Sequence, residues 1–127
     1  MKKILLFSLL TFSLFANHIH WQGDYNKALQ QAHRQQKPLW VLVVKNNEPL
    51  CNEIIKNVFM NQPYIKKINS EIIAVIVTYE GKITYPIELY YTTIFPTLFF
   101  VEAKKETFLS EPLYGKEITT QKIESFK

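Results

Sequence analysis

The chain carries one cysteine, Cys51, among 127 residues. A single thiol cannot close an internal disulfide. It is either a small buried apolar side chain or a thiol that forms a mixed disulfide with a partner. Lysines and arginines never run longer than two, and the formal net charge is only +4. That balance excludes a nucleic-acid surface. No apolar stretch reaches the roughly 20 residues that cross a bilayer as a helix. The tract from Ile4 to Phe15 covers 12 positions and is interrupted by Ser8, Thr11 and Ser13. Internal repeats, low-complexity tracts and linkers are absent, which points to one domain.

What is present describes a globular chain. Hydrophobic residues make up 47% and charged residues 20%, with nine Phe, seven Tyr and two Trp to fill a core. Lys2 and Lys3, the short apolar tract and the small residue Ala16 have the form of a secretory signal peptide over 1–16. Its removal leaves 13 basic against 11 acidic residues. Leu14 fits the cleavage pattern imperfectly, so the bond itself stays open. No cysteine follows the tract, which argues against a lipid anchor. The expected mature domain is 17–127, periplasmic or secreted, with no stable membrane span after cleavage. Thiols outside the cytoplasm tend to be oxidised, which bears directly on Cys51.

Apolar periodicity and punctuation predict the elements. Asp24 caps a helix from Tyr25 to about Gln36 with Ala28, Leu29 and Ala32 as its apolar stripe; Pro38 ends it. Leu39 to Val44 is apolar on both faces, the mark of a covered central strand. Asn46 and Asn47 form a turn, and either can cap the helix that follows, with Pro49 in its first turn. Ile54, Ile55, Val58 and Phe59 are its buried face, and Tyr64 to Ile68 makes a short helical turn. Ile72 to Thr78 is a second buried strand. Thr84 and Pro86 predict a short helix through Tyr90. Thr97 to Val101 is a third strand, Thr107 to Leu109 its hairpin partner, and Thr119 or Thr120 caps a last helix with Ile123 and Phe126 inward. Crossovers make the first strands parallel. The expected fold class is α/β, a central mixed β-sheet flanked by helices.

Three features carry a family resemblance. Trp21, Tyr25, Ala28, Leu29, Ala32 and Lys37-Pro38 look like a leading helix and strand entry. Val58-Phe59 resembles the apolar pair ending an active-site helix. Phe95-Pro96-Thr97 resembles a proline loop that faces active-site cysteines. Together, over roughly Trp21 to Phe126, they resemble the thioredoxin-like fold, in its exported members.

That resemblance implies a Cys-x-x-Cys motif at the helix start, with an exposed outer nucleophile and an inner resolving thiol. Here the motif reads Glu48-Pro49-Leu50-Cys51: the outer cysteine is replaced and the inner one remains. Glu48 is either a plain capping-region acid, favoured by roughly 0.3–1 kcal/mol at a helix N-terminus, or a fixed anion where relatives hold a thiolate. The resemblance also implies a cis Phe95–Pro96 bond, with backbone beside it open to an extended peptide as an added strand; the bland reading is a trans proline starting an edge strand. Phe95, Pro96 and Thr97 are therefore the candidate substrate-binding residues. Tyr79, Tyr85, Tyr90 and Tyr91 either line that groove or close a small core.

Two functions follow. One is a protein or peptide binder related to thiol–disulfide oxidoreductases but lacking the outer cysteine. The other is a single-cysteine oxidoreductase working through mixed disulfides at Cys51. No cofactor is expected. His18, His20 and His33 raise a metal reading, but His18 and His20 are read as part of a flexible tail and no cysteine or acidic cluster completes a four-ligand set, so no metal is assigned.

Overall fold

The computed structural model describes residues 17–80 and 82–126. The proposed signal peptide at 1–16 lies outside the described residues, as does Gly81 of the Glu80–Lys82 turn. In chain order the elements are β1 (Trp21–Gln22), α1 (Tyr25–Gln35), β2 (Leu39–Val44), α2 (Pro49–Val58), α3 (Ile65–Glu71) and β3 (Ile73–Thr78). They continue with β4 (Thr97–Glu102), β5 (Thr107–Phe108), β6 (Leu113–Tyr114), a 3-10 turn (Gly115–Glu117) and α4 (Thr120–Ser125).

The sheet runs β1-β3-β2-β4-β5, with β6 also pairing β4. β2 pairs β3 in parallel, Val41 opposite Val75, and β4 antiparallel, Val41 opposite Phe99. β2 is thus the central strand, as its unbroken apolar run requires. Side chains alternate across it. Trp40 and Leu42 face the core under α2, α3 and α4, with Ile54, Val58, Ile65, Leu98, Phe100 and Ile123. Leu39, Val41 and Val43 face the opposite core, with Ala28 and Ala32 of α1 and with Tyr85, Tyr90 and Phe99. Full burial of each Leu, Ile, Val or Phe contributes about 1.5–3 kcal/mol.

The helix ends obey local chemistry. Asp24 accepts from the Lys27 N–H at 3.0 Å and starts α1. Gln36 adopts a left-handed φ of 56° and closes it, its N–H donating to the Ala32 and His33 carbonyls. Thr119 caps α4 through the Lys122 N–H. Phe126 stacks on Phe100 with ring centroids 4.2 Å apart and meets Trp40 edge-on.

Four expectations change. First, β1 precedes α1, pairing Trp21 with Ala74 in parallel; two residues are too few to show a strand period. Second, Thr84 to Tyr90 is a single turn closed by Leu89 and Tyr90 N–H groups on the Pro86 carbonyl. Buried Tyr85 and Tyr90 pull that segment against the sheet instead of letting it wind into a helix. Third, the N-cap of α2 is Glu48, with no side-chain cap bond. Asn47 takes the left-handed turn position at φ 63° instead. Fourth, 17–20 is no tail: the Ile19 N–H bonds the Phe59 carbonyl at 3.1 Å, the Asn61 N–H bonds the Asn17 carbonyl at 2.8 Å, and Ile19 is fully buried.

Candidate functional site

The site forms where β2 and β3 end and α2 begins. Val44 is the last strand residue, and the Tyr79 N–H donates to its carbonyl at 2.9 Å, holding the two strand exits together. From the β2 exit the chain turns through Lys45 and the two asparagines to Glu48. Glu48 is half-buried at the head of α2, with Pro49 in the first helical turn, where its missing N–H leaves nothing unpaired.

Cys51 lies one turn further in and is only 4% exposed. Its thiol is pushed above the usual 9.0, chiefly by burial and further by the Glu48 carboxylate, while a backbone hydrogen bond at Lys45 works the other way. The nucleophilic form of cysteine is the thiolate. Burial here outweighs the helix end, so Cys51 behaves as an apolar side chain of the α2 face. Glu48 and Cys51 stand one helical turn apart, and the Cys51 thiol is buried.

The loop before β4 lies beside this helix start. Its contacts run through Gly115. A β-carbon at that residue would stand 3.2 Å from Ile94 Cγ2 and 3.7 Å from Leu50 Cδ2, so Leu50 of α2 and Ile94 flank one point. The Phe95–Pro96 peptide is cis. Pro96 is buried, and its carbonyl accepts the Gly115 N–H at 2.7 Å. Thr97 is buried as well, and its hydroxyl is spent inside the loop, 2.9 Å from the Thr92 hydroxyl and 2.5 Å from the Ile94 carbonyl. Of the three residues named from sequence, Pro96 and Thr97 therefore build the loop, and Phe95 is the one left half-exposed. Its ring lies 5.2 Å from that of Tyr79, with Lys45 Nζ 5.7 Å from its centre. Among the described residues, neither the N–H nor the C=O of Phe95 has a hydrogen-bond partner.

Sequence reading missed two residues here. Ile94 is 48% exposed beside the loop; an apolar residue shortly before a loop proline is available to a ligand. Lys45, the first polar residue after the β2 run, supplies the cation at Phe95. The tyrosines divide: Tyr85 and Tyr90 close the core, while Tyr79 and Tyr91 are exposed. Burial raises the Tyr85 hydroxyl above the usual range, with Tyr79 adding to it.

A mixed sheet with this order, a helix starting at the exit of the central strand and a proline loop facing that start define a thioredoxin-fold protein. Residues 20–103 match the family described as thioredoxin-like, and the chain belongs to that family. Among solved structures it is similar to a DsbH oxidoreductase, with a TM-score of 0.64 and 18% identity over 80% of this chain and 76% of that one. It is also similar to a thioredoxin from Thermus thermophilus, with a TM-score of 0.65 and 17% identity over 84% of this chain and 82% of that one. No curated protein matches the chain. Among the described residues, no helix is long and apolar enough to cross a membrane.

Proposed function

We propose that this is an exported thioredoxin-fold protein, related to thiol–disulfide oxidoreductases, that holds an extended segment of a partner protein at the 94–96 loop without redox turnover. Glu48 stands where relatives place the attacking thiol. The observation that carries this reading is the state of Cys51: it is the sole cysteine, it is 4% exposed, and its thiol is raised. A redox cycle needs a thiolate that reaches a substrate disulfide and a second thiol that resolves the mixed disulfide. The chain holds no second thiol and its one thiol is buried, while the surface beside it offers what peptide binding needs. Among the described residues the backbone groups of Phe95 have no partner and are available for strand pairing, and Ile94 and Tyr79 flank it with exposed apolar area. Export rests on the Lys2–Ala16 segment.

The test has two arms. Native protein is mixed with an aromatic disulfide reagent across pH 6–9, and Cys51 is expected to react only as fast as the protein opens. Rapid native modification with a depressed thiol pKa would restore the single-cysteine oxidoreductase reading. In the second arm, unstructured peptides rich in apolar residues are titrated into labelled protein. Shifts are expected at Ile94, Phe95 and Tyr79; shifts confined to another face would sink the groove assignment.

A further inference from the structure

Away from the loop, the edge where the N-terminal segment meets the end of α2 brings together three metal-binding side chains. His18 pairs with Met60 in an isolated antiparallel bridge. Its two bonds run from Ile19 N–H to the Phe59 carbonyl and from Asn61 N–H to the Asn17 carbonyl. They flank the pair instead of joining it, so His18 and Met60 form the non-hydrogen-bonded type of pair, in which facing side chains lie closest. Alternation agrees: Ile19 and Phe59 are fully buried, whereas His18 is exposed and Met60 is 36% exposed. His20 lies two residues beyond His18 on the same extended stretch, on the same outward face.

The two imidazole rings lie close enough together to share an ion. Their ring centroids lie 5.8 Å apart at an interplanar angle of 75°. Two histidines bound to one ion through single nitrogens at about 2.0 Å place their ring centres roughly 5–6 Å apart. The His18 ring is fixed in tautomer too. Its Nδ1 lies 2.9 Å from the Ile19 carbonyl, which only accepts, so in the neutral ring Nδ1 carries the proton and Nε2 offers its lone pair to a metal. The segment is pinned on both sides by Asn69, whose side chain donates to the His18 carbonyl and accepts from the His20 N–H, each at 2.9 Å. Among the described residues no three His, Cys, Asp or Glu side chains cluster for a metal; here the third donor is a thioether.

We propose that His18, His20 and Met60 form a surface site for cuprous ion. Two imidazoles and a thioether, with no carboxylate in the set, make a soft donor group, and thioether ligation selects Cu(I) over Zn(II). Asn69 is a positioning residue that holds the two histidine backbones at their spacing.

The experiment is anaerobic competition for Cu(I) between the full chain and a chromophoric Cu(I) chelator, paired with X-ray absorption at the copper edge. One equivalent is expected to bind, with two nitrogen scatterers and one sulfur. Met60→Leu is expected to weaken Cu(I) at least about tenfold while leaving any Zn(II) binding unchanged, and His20→Asn to weaken both. Cys51→Ala is expected to bind copper as the parent does. These side chains are exposed, and circular dichroism of each variant reports that it is folded. Absence of binding, undiminished binding in the His20→Asn/Met60→Leu double variant, dependence on Cys51, or a preference for Zn(II) would each overturn the site.

Discussion

The N–H of Cys51 donates to the carbonyl of Glu48 at 3.0 Å, so the two residues stand one helical turn apart at the head of α2. The outer one is half-buried at the exit of the central strand and the inner one is buried on the inward face of α2. β-Carbons three residues apart on a helix lie roughly 5–6 Å from each other, and a disulfide needs roughly 3.5–4.5 Å. Glu48 has extended cap geometry, φ −110° and ψ 101°, so its β-carbon does not keep the helical spacing. Glu48→Cys is therefore expected to form an internal disulfide with Cys51 under mild oxidation. Closing so short a loop stabilises the fold by about 2 kcal/mol in the chain-entropy view. Thiol counting before and after oxidation, and denaturation midpoints of the two forms, check it. Two free thiols after oxidation would mean that Glu48 does not hold the outer position.

Alkaline stability follows from the buried acids. Burial pushes the Cys51 thiol above 9.0, and it raises Tyr64 and Tyr90 to about 12, with the Glu124 charge adding at Tyr64 and the Glu106 charge at Tyr90. Each group holds its proton more tightly folded than unfolded. Its contribution is complete below the unfolded pKa and is lost as pH rises through the folded one. Stability is expected to hold to roughly pH 8.5 and to fall steadily above it, first from the thiol and then from the tyrosines. Urea midpoints between pH 7 and 11 measure the slope. Cys51→Ala should shallow its first part and Tyr90→Phe its later part; a flat profile in the parent would contradict the burial argument.

The central strands were legible because apolar runs such as Leu39–Val44 and Ile73–Thr78 are largely buried on both faces. The start of the helix that carries Cys51 was legible from Pro49. What escaped depends on contacts distant in sequence. β1 exists because Trp21 and Gln22 pair β3 some fifty residues away. The His18 segment is ordered by Phe59, Asn61 and Asn69. Thr97 changed from a surface ligand to a loop fastener because Thr92 and Ile94 fold back onto it, which no local pattern signals.

The described glycines invite a paired test. Gly115 has φ +52°, and a β-carbon there would press on Ile94 at 3.2 Å, whereas a β-carbon on Gly23 meets nothing within 4 Å. Gly115→Ala is expected to cost about 1–2 kcal/mol from the left-handed backbone alone. It should also shift Ile94 and the Pro96 carbonyl that Gly115 holds at 2.7 Å. Gly23→Ala should lie within about 0.5 kcal/mol of the parent. Thermal denaturation compares the two, and amide shifts around Ile94 report the loop. Equal stability of both variants would mean that the Gly115 turn relaxes freely.

Tyr25 links α1 to the opposite end of the sheet, and its hydroxyl gives an asymmetric prediction. It lies 2.9 Å from a Glu106 carboxylate oxygen and 2.7 Å from the Tyr90 hydroxyl. A carboxylate only accepts, so the Tyr25 proton goes to Glu106 and the Tyr90 proton must go to the Tyr25 oxygen. Removing the Tyr25 hydroxyl strands a donor on Tyr90, which is 1% exposed; a buried unpaired donor costs about 1–3 kcal/mol. Removing the Tyr90 hydroxyl leaves Tyr25 still bonded to Glu106 and strands nothing that donates. Tyr25→Phe is therefore expected to be clearly more destabilising than Tyr90→Phe. The double variant should cost less than the two single changes together, because Tyr90→Phe removes the donor that Tyr25→Phe would strand. Urea denaturation of the four proteins closes the cycle, and a larger loss from Tyr90→Phe would reverse the direction of the bond between the two tyrosines.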